Sequence, residues 1–389
     1  MKLLLIELCN YIDYPTGGHL SFARNLISLY GSDVSIVRIS TDTNERHLVG
    51  KWDNVVIDGI TYNSFLVGVI NQSSNKPIIP RRIKSLFYML KWRKKIFANP
   101  PKYDYIFVQT PEVMLSLPKN LLNQTCARLP GLENPLIYSR YRWAAVFSRI
   151  YMHLLYNRLS AVPKILATSN KASITQFIER SCNKISASNV YQFPTRYNET
   201  VYHLYDKHNV RESLSLSQSQ TIFITVGRLA KFKGVEFLLE SYKIVSNENT
   251  MLLIIGDGEY DSYIRGYIKE HAIDNVKLLG KLLPGEIGKY LGASDVFIMG
   301  SYAEGWSTAL VEAVAVGLPC VVTNFSGATE MVCNGYNGYV VTDRDPAVFA
   351  TKMQDALQLN SSNLEQSAKS IIKLSLGNLK NNIEDILNQ

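Results

Sequence analysis

The chain has 389 residues, 46% apolar and 19% charged, enough for two or three globular domains and unlike a disordered or fibrous protein. Its five cysteines are odd in number and widely spaced, with no CxxC pair, so neither a disulfide framework nor a zinc site is indicated. The net charge of +8 is unevenly held, with 25 Lys and Arg against 12 Asp and Glu in residues 1–200 and 16 against 21 in the rest, which assigns an anionic partner to the first half.

The opening MKLLLIELCN has an apolar run broken by Glu7, too brief for a signal peptide, and reads as a first strand over residues 2–8. No apolar run approaches the ~20 residues that cross a bilayer, so a cytoplasmic protein is expected. The following PTGGHLSFARNL is neither a GxGxxG fingerprint nor a P-loop. Gly17 and Gly18 allow close backbone approach and open a helix, with His19 either lining a cleft or facing solvent. Further strands are predicted over residues 33–39, 105–109 and 164–168. Between them, residues 76–102 hold nine Lys and Arg and no acid, and residues 138–164 again mix Arg with Tyr, Trp and Phe.

Residues 198–220, with serines at 213, 215, 217 and 219, read as a separator, which places a boundary near residue 200. Strands are then predicted over 221–226, 251–255, 276–279, 296–299, 319–323 and 338–341, alternating with helical stretches. Each half restarts with a strand and a glycine-containing turn. Two Rossmann-like domains are therefore expected, over residues 1–200 and 201–370, with 371–389 a terminal helix and the ligand in the cleft between the domains.

The chemistry concentrates after two strand ends of the second half. TIFITVGRLAKFKG places Gly227, Arg228 and Lys233 at the carboxyl end of a parallel strand, where a guanidinium fork and an ammonium suit a diphosphate. MGSYAEGWSTALVEAVAVGLPCVV reads as strand, loop and helix, with Ser307 as N-cap and Gly317 and Pro319 as the stop. The free N–H groups and positive dipole end of that helix make Gly305, Trp306, Ser307 and Thr308 a seat for phosphate. Glu304 then stands beside whatever the diphosphate carries, and Glu312, about one turn further in, can accept hydrogen bonds from neighbouring ribose hydroxyls. The Asp343-Arg344-Asp345 triplet before Pro346 reads as a turn, not a metal site.

These motifs resemble the donor-binding signature of retaining glycosyltransferases of the GT-B fold, in particular the large family numbered four. The resemblance spans most of residues 220–345, including GDGEY at 256–260 and SGATEMVCNGYNGYVV; before that it rests on the glycine loop and general layout. It implies an α/β protein with two Rossmann-like domains facing each other across a deep cleft. It also implies that Arg228 and Lys233 hold the donor diphosphate and the departing nucleotide, that Glu304 and adjacent amides hold the sugar, and that Glu312 binds ribose. Retention by front-face attack without a metal or other cofactor is implied too, as is a final helix crossing to the first domain. One departure is the histidine that many members carry after a middle N-terminal strand: QTCARLPGLENPLIYSRY has none, leaving Arg128 and Glu133, with His19, as acceptor-side candidates.

Cationic helices with aromatic residues suit an anionic membrane surface, so residues 76–102 and 138–164 are expected to meet one, with a saccharide or lipid-linked saccharide of bacterial surface polysaccharide synthesis as acceptor. No nucleic-acid recognition motif is present, and no nucleic-acid partner is expected. A nucleotide-sugar epimerase or hydrolase of the same fold, or a non-catalytic membrane- or nucleic-acid-binding protein, are the alternatives.

Overall fold

The computed structural model describes residues 1–14, 18–71, 80–134, 136 and 146–389. The chain forms two compact units, residues 1–193 with 379–389, and residues 194–378.

In the first unit the strands are β1 (Leu3–Ile6), β2 (Val34–Ser40), β3 (Trp52–Ile57), β4 (Ile60–Val69), β5 (Tyr105–Val108), β6 (Thr125–Leu129), β7 (Lys164–Ala167) and β8 (Val190–Gln192). They form one sheet in the order β3-β4-β2-β1-β5-β6-β7-β8. Every pairing is parallel except β3 with β4, a hairpin that the sequence reading missed. Its turn is Asp58-Gly59, both at positive φ (50° and 79°), the two-residue geometry for which Asp-Gly is suited. Strand β6 was also missed, because Arg128 interrupts its apolar run.

The second unit holds β9 (Thr221–Val226), β10 (Thr250–Ile255), β11 (Val276–Gly280), β12 (Val296–Met299), β13 (Cys320–Thr323) and β14 (Gly338–Val341). Its all-parallel order, β11-β10-β9-β12-β13-β14, is that of a Rossmann sheet. Both faces of the inner strands β10, β9, β12 and β13 are covered, which is why those strands read as largely apolar runs. Alternate side chains go to opposite cores: Ile222, Ile224, Phe297 and Met299 to one, Phe223, Val296 and Ile298 to the other. The strand order reverses between β9 and β12, and the carboxyl ends of those strands are where such a sheet leaves a crevice.

Two boundaries differ from expectation. Residues 198–220 are not a separator but part of the second unit, whose limit lies at Phe193/Pro194 instead of residue 200. The helix Lys207–Ser213 buries Arg211, whose Nη2 donates to Asp295 Oδ2 at 2.7 Å and whose Nε donates to the Ala293 carbonyl at 2.8 Å. The same Asp295 accepts from the Ile222 N–H at 2.7 Å and pairs with Lys207 at 2.9 Å. At the other end, Ile371 and Leu374 sit in the second unit's core, so the return to the first unit begins at Leu379 and not at residue 371. There the helix Leu379–Asn388 packs against the helix Gly18–Tyr30, and Tyr105 donates to the Leu387 carbonyl at 2.8 Å.

Among the described residues no helix is long and apolar enough to cross a membrane. Asp295→Ala leaves the Arg211 guanidinium buried without its carboxylate, and is expected to lower the stability of the second unit by about 3 kcal/mol. Lys207→Ala, which removes the exposed partner, should cost under about 1 kcal/mol. Urea denaturation of both variants checks the contrast; equal losses would contradict it.

Candidate active site

At the β9 end, the backbone turns at Gly227 and Arg228 and is laced to the turn that ends β10. The Leu229 N–H donates to the Asp257 carbonyl at 2.8 Å, and the Tyr260 N–H donates to the Leu229 carbonyl at 3.0 Å. The chain then makes a short 3-10 turn over Lys231–Lys233 and reverses at Gly234, with φ +64°. A Cβ on Gly234 would lie 2.1 Å from the Gly300 carbonyl oxygen, so only glycine lets this turn touch the end of β12.

That approach delivers Lys233 to Glu304. Its Nζ donates to Glu304 Oε1 at 2.6 Å, and the Ser301 hydroxyl donates to the same oxygen at 2.7 Å. Both charged side chains are largely buried, 19% and 12% exposed, so the pair is little screened by water. Arg228 is more open; its Nε and Nη2 donate to Glu259 Oε2 at 3.1 and 2.7 Å. A small hollow at the strand ends is lined by Gly227, Arg228, Lys233, Met299 and Ser301.

After Glu304 the loop through Gly305 leads into the helix Thr308–Ala315, and Ser307, its N-cap, accepts from the Leu310 N–H at 3.3 Å. Trp306 is buried against Gly327. Of the predicted residues, Lys233 and Glu304 are therefore in direct contact, Arg228 lines the hollow with Lys233, and Ser307 caps the helix that follows the Glu304 loop.

Glu312 is placed differently. It does not line the hollow; its carboxyl accepts from the Tyr202 hydroxyl, and burial pushes its pKa up to about 8. The same burial, with Glu312 next, pushes the Tyr202 phenol well up. Tyr202 lies in the segment read from sequence as a separator, so nothing in the local pattern pointed to it.

The sequence reading also missed two supports of the loop. Arg344, set aside with its triplet as a turn residue, donates to the Gly300 carbonyl at 3.0 Å and lies 3.6 Å over the Tyr302 ring. Its neighbour Asp345 caps the helix Pro346–Ala356, accepting from the Ala347 N–H. Thr323 donates to the Ser301 carbonyl at 2.8 Å. Among the described residues no group of three or more His, Cys, Asp or Glu could hold a metal ion.

In the first unit the acceptor-side candidates separate. Gly17 lies outside the described residues, and Gly18 opens the helix Gly18–Tyr30. His19 Nδ1 stands 3.8 Å from the buried Glu7 carboxylate, which also accepts from the Thr110 hydroxyl at 3.0 Å. Arg128 is buried, its guanidinium 3.9 Å over the Phe22 ring and its Nη1 donating to Gln109 Oε1 at 3.1 Å. Gln109 in turn donates to the His19 carbonyl at 2.8 Å. His19 and Arg128 thus share one network at the carboxyl ends of β1, β5 and β6. Glu133 stands apart from it, paired on the surface with Arg180 at 3.1 Å.

Residues 206–373, most of the second unit, match the model of the family described as glycosyl transferases group 1. Within curated relatives, the chain is 31% identical over 153 residues to N-acetyl-alpha-D-glucosaminyl L-malate synthase of Bacillus anthracis, covering 39% of each chain. It is 31% identical over 140 residues to UDP-Gal:alpha-D-GlcNAc-diphosphoundecaprenol alpha-1,3-galactosyltransferase of Escherichia coli, covering 34% of this chain and 35% of that one. These matches span under two fifths of the relatives' own length. The fold is similar over the whole chain to sucrose-phosphate synthase from Thermosynechococcus elongatus, with a TM-score of 0.75, 18% identity, and 100% and 98% of the two chains covered. That likeness establishes the GT-B fold, two Rossmann-like units.

Between the ordinary carboxylate range and about pH 8 the native chain holds a proton on Glu312 that the unfolded chain has released, so this group lowers stability as pH rises through that window. Glu312→Gln is expected to gain melting temperature relative to the natural chain from pH 5 to pH 8, levelling above. A difference that stays constant across that range would show that the carboxyl is not held neutral.

Proposed function

We propose that the chain is a glycosyltransferase that moves a sugar from a nucleoside-diphosphate sugar to a saccharide or lipid-linked saccharide acceptor, with retention of anomeric configuration and without a metal. The observation that carries this reading is the buried Lys233–Glu304 pair beside Arg228, at the strand-order reversal and next to the capped start of the helix Thr308–Ala315. A departing nucleoside diphosphate gathers negative charge on its β-phosphate. Lys233, Arg228 and the first helix amides are donors already in place to stabilise it. Glu304, anchored by Ser301, accepts hydrogen bonds from sugar hydroxyls once Lys233 turns to phosphate. Glu312, half-buried beside Tyr202 and outside the hollow's lining, offers the ribose a carboxyl oxygen from the same helix. The acceptor hydroxyl loses its proton to the leaving phosphate oxygen as the new glycosidic bond forms on the same face.

The matching E. coli relative bears both a UDP-sugar and a diphosphoundecaprenol in its name, which supports a lipid-linked acceptor. The first unit offers a surface for it. On the helix Arg81–Ile96, Met89 and Ile96 are buried while Phe87 is 62% exposed among exposed Lys84, Lys91, Arg93, Lys94 and Lys95. On the helix Ser148–Leu159, Ile150 and Leu154 are 62% and 49% exposed beside Arg149. Apolar side chains ringed by cations gain from both the acyl boundary and the anionic headgroups. Residues 76–79 and 138–145 of the two basic stretches lie outside the described residues.

Lys233→Ala and Glu304→Ala should each reduce sugar transfer about 100-fold or more with circular dichroism unchanged. A thermal-shift panel of UDP-, GDP-, ADP- and TDP-sugars identifies the donor, since a ligand of the native state raises apparent stability. Near-normal turnover in both variants would remove the site assignment. Full conversion of donor with no acceptor present would favour a hydrolase or epimerase. For the membrane surface, co-sedimentation with anionic vesicles at low salt should exceed that with neutral vesicles and fall in Phe87→Ser/Ile150→Ser; equal binding to both lipids would refute it.

A further inference from the structure

Glu259 lies on the turn that ends β10, outside every group assigned above, and this turn is fixed by main-chain contacts on both sides. The Gly256 N–H donates to the Gly280 carbonyl at 2.8 Å, the two strand-end turns exchange the bonds of Leu229 and Tyr260, and the Tyr260 hydroxyl donates to Glu236 at 3.0 Å. A Cβ on Gly258 would lie 2.2 Å from the Leu229 carbonyl oxygen, so the turn rests directly on the backbone that carries Arg228. Glu259 and Arg228 are therefore brought together by main-chain contact.

The way they meet is informative. A guanidinium has two edges that can grip an anion, one made by Nε and one terminal nitrogen, the other by the two terminal nitrogens. Glu259 takes the first, with a single oxygen receiving both Nε and Nη2. Nη1 makes no hydrogen bond among the described residues, and Arg228 lines the hollow. The terminal edge is left for a second anion while the carboxylate holds the rest of the side chain. With the two partners 52% and 56% exposed, such a pair adds little to stability. Its consequence is orientation: the rotamers of a long, exposed arginine are restricted before any ligand arrives.

We propose that Glu259 is a positioning residue for the nucleoside-diphosphate site, holding Arg228 by one edge so that the other meets the diphosphate. This inference rests on the function proposed above and deepens it. The opposite behaviour, a carboxylate that competes with the diphosphate for Arg228, gives the opposite sign on removal.

The test is calorimetric titration of the natural chain with UDP, GDP, ADP and TDP, then of variants with whichever binds most tightly. Glu259→Ala should weaken that nucleotide about 5- to 10-fold with an unchanged melting temperature, whereas Glu259→Gln, which keeps an acceptor oxygen, should change it less than about 2-fold. In an Arg228→Ala background, Glu259→Ala should have no further effect. Unchanged or tighter binding by Glu259→Ala would overturn the proposal, as would an equal loss with and without Arg228. If the natural chain bound none of the four, the functional reading would fall and this inference with it; binding by the natural chain with no response to Glu259→Ala would overturn the inference alone.

Discussion

Everything in the candidate site depends on one close approach of backbone to backbone, Gly234 against the Gly300 carbonyl. With no side chain between them, the turn after β9 and the loop after β12 act as one body, and the Tyr302 N–H seals the contact by donating to the Phe232 carbonyl at 2.8 Å. The two strands are neighbours only because the order of the sheet reverses there. Sequence separates Lys233 from Glu304 by 71 positions; topology and a missing Cβ bring them to 2.6 Å. A larger residue at 234 would therefore act on the ion pair through the backbone, without touching either charge.

The loop from Gly300 to Glu304 is held from behind as well. Arg344 and Thr323 take up the carbonyls of Gly300 and Ser301, and Ser301 uses its own hydroxyl on Glu304. None of these groups needs to touch a ligand. They fix the carboxylate and the helix start in advance, and a site whose dipoles are already aimed spends little free energy on reorganisation during reaction. Packing thus becomes electrostatics: the sheet interior determines where charge is offered at its rim.

Much of this could be read from the chain because parallel strands covered on both faces are short apolar runs, and their ends carry glycine and charge. The limits of β9, β12 and β14 fall where the pattern put them. Arg228, Lys233, Glu304 and Ser307 were legible since each lies in the glycine-containing loop that follows such a run. What stayed hidden came from elsewhere in the chain. Tyr202 and Arg344 act on the site from segments whose local pattern says only loop or turn, and β6 was lost because Arg128 is a charge within a buried strand, stacked on Phe22. Glu312 illustrates a further limit. Its helical position was correct, but its environment, a half-buried carboxyl held by a tyrosine, is set by a residue 110 positions away.

The two cations of the hollow are each already paired, and the difference in burial separates their roles. Lys233 and Glu304 face one another where water scarcely reaches, so neither can be left alone there without a large desolvation cost. On the function proposed above, an incoming diphosphate and sugar replace both partners at once, the phosphate taking the ammonium while sugar hydroxyls take the carboxylate. A phosphate without its sugar satisfies only half of that exchange. The buried pair thereby favours a ligand carrying both groups at a fixed spacing, and it does so through the penalty for a wrong one as much as through contacts with the right one. Arg228, in water with Glu259, carries no such condition. On that proposed function it can meet any phosphate that arrives, and the selectivity of the site accordingly resides in the pair that Gly234 makes possible.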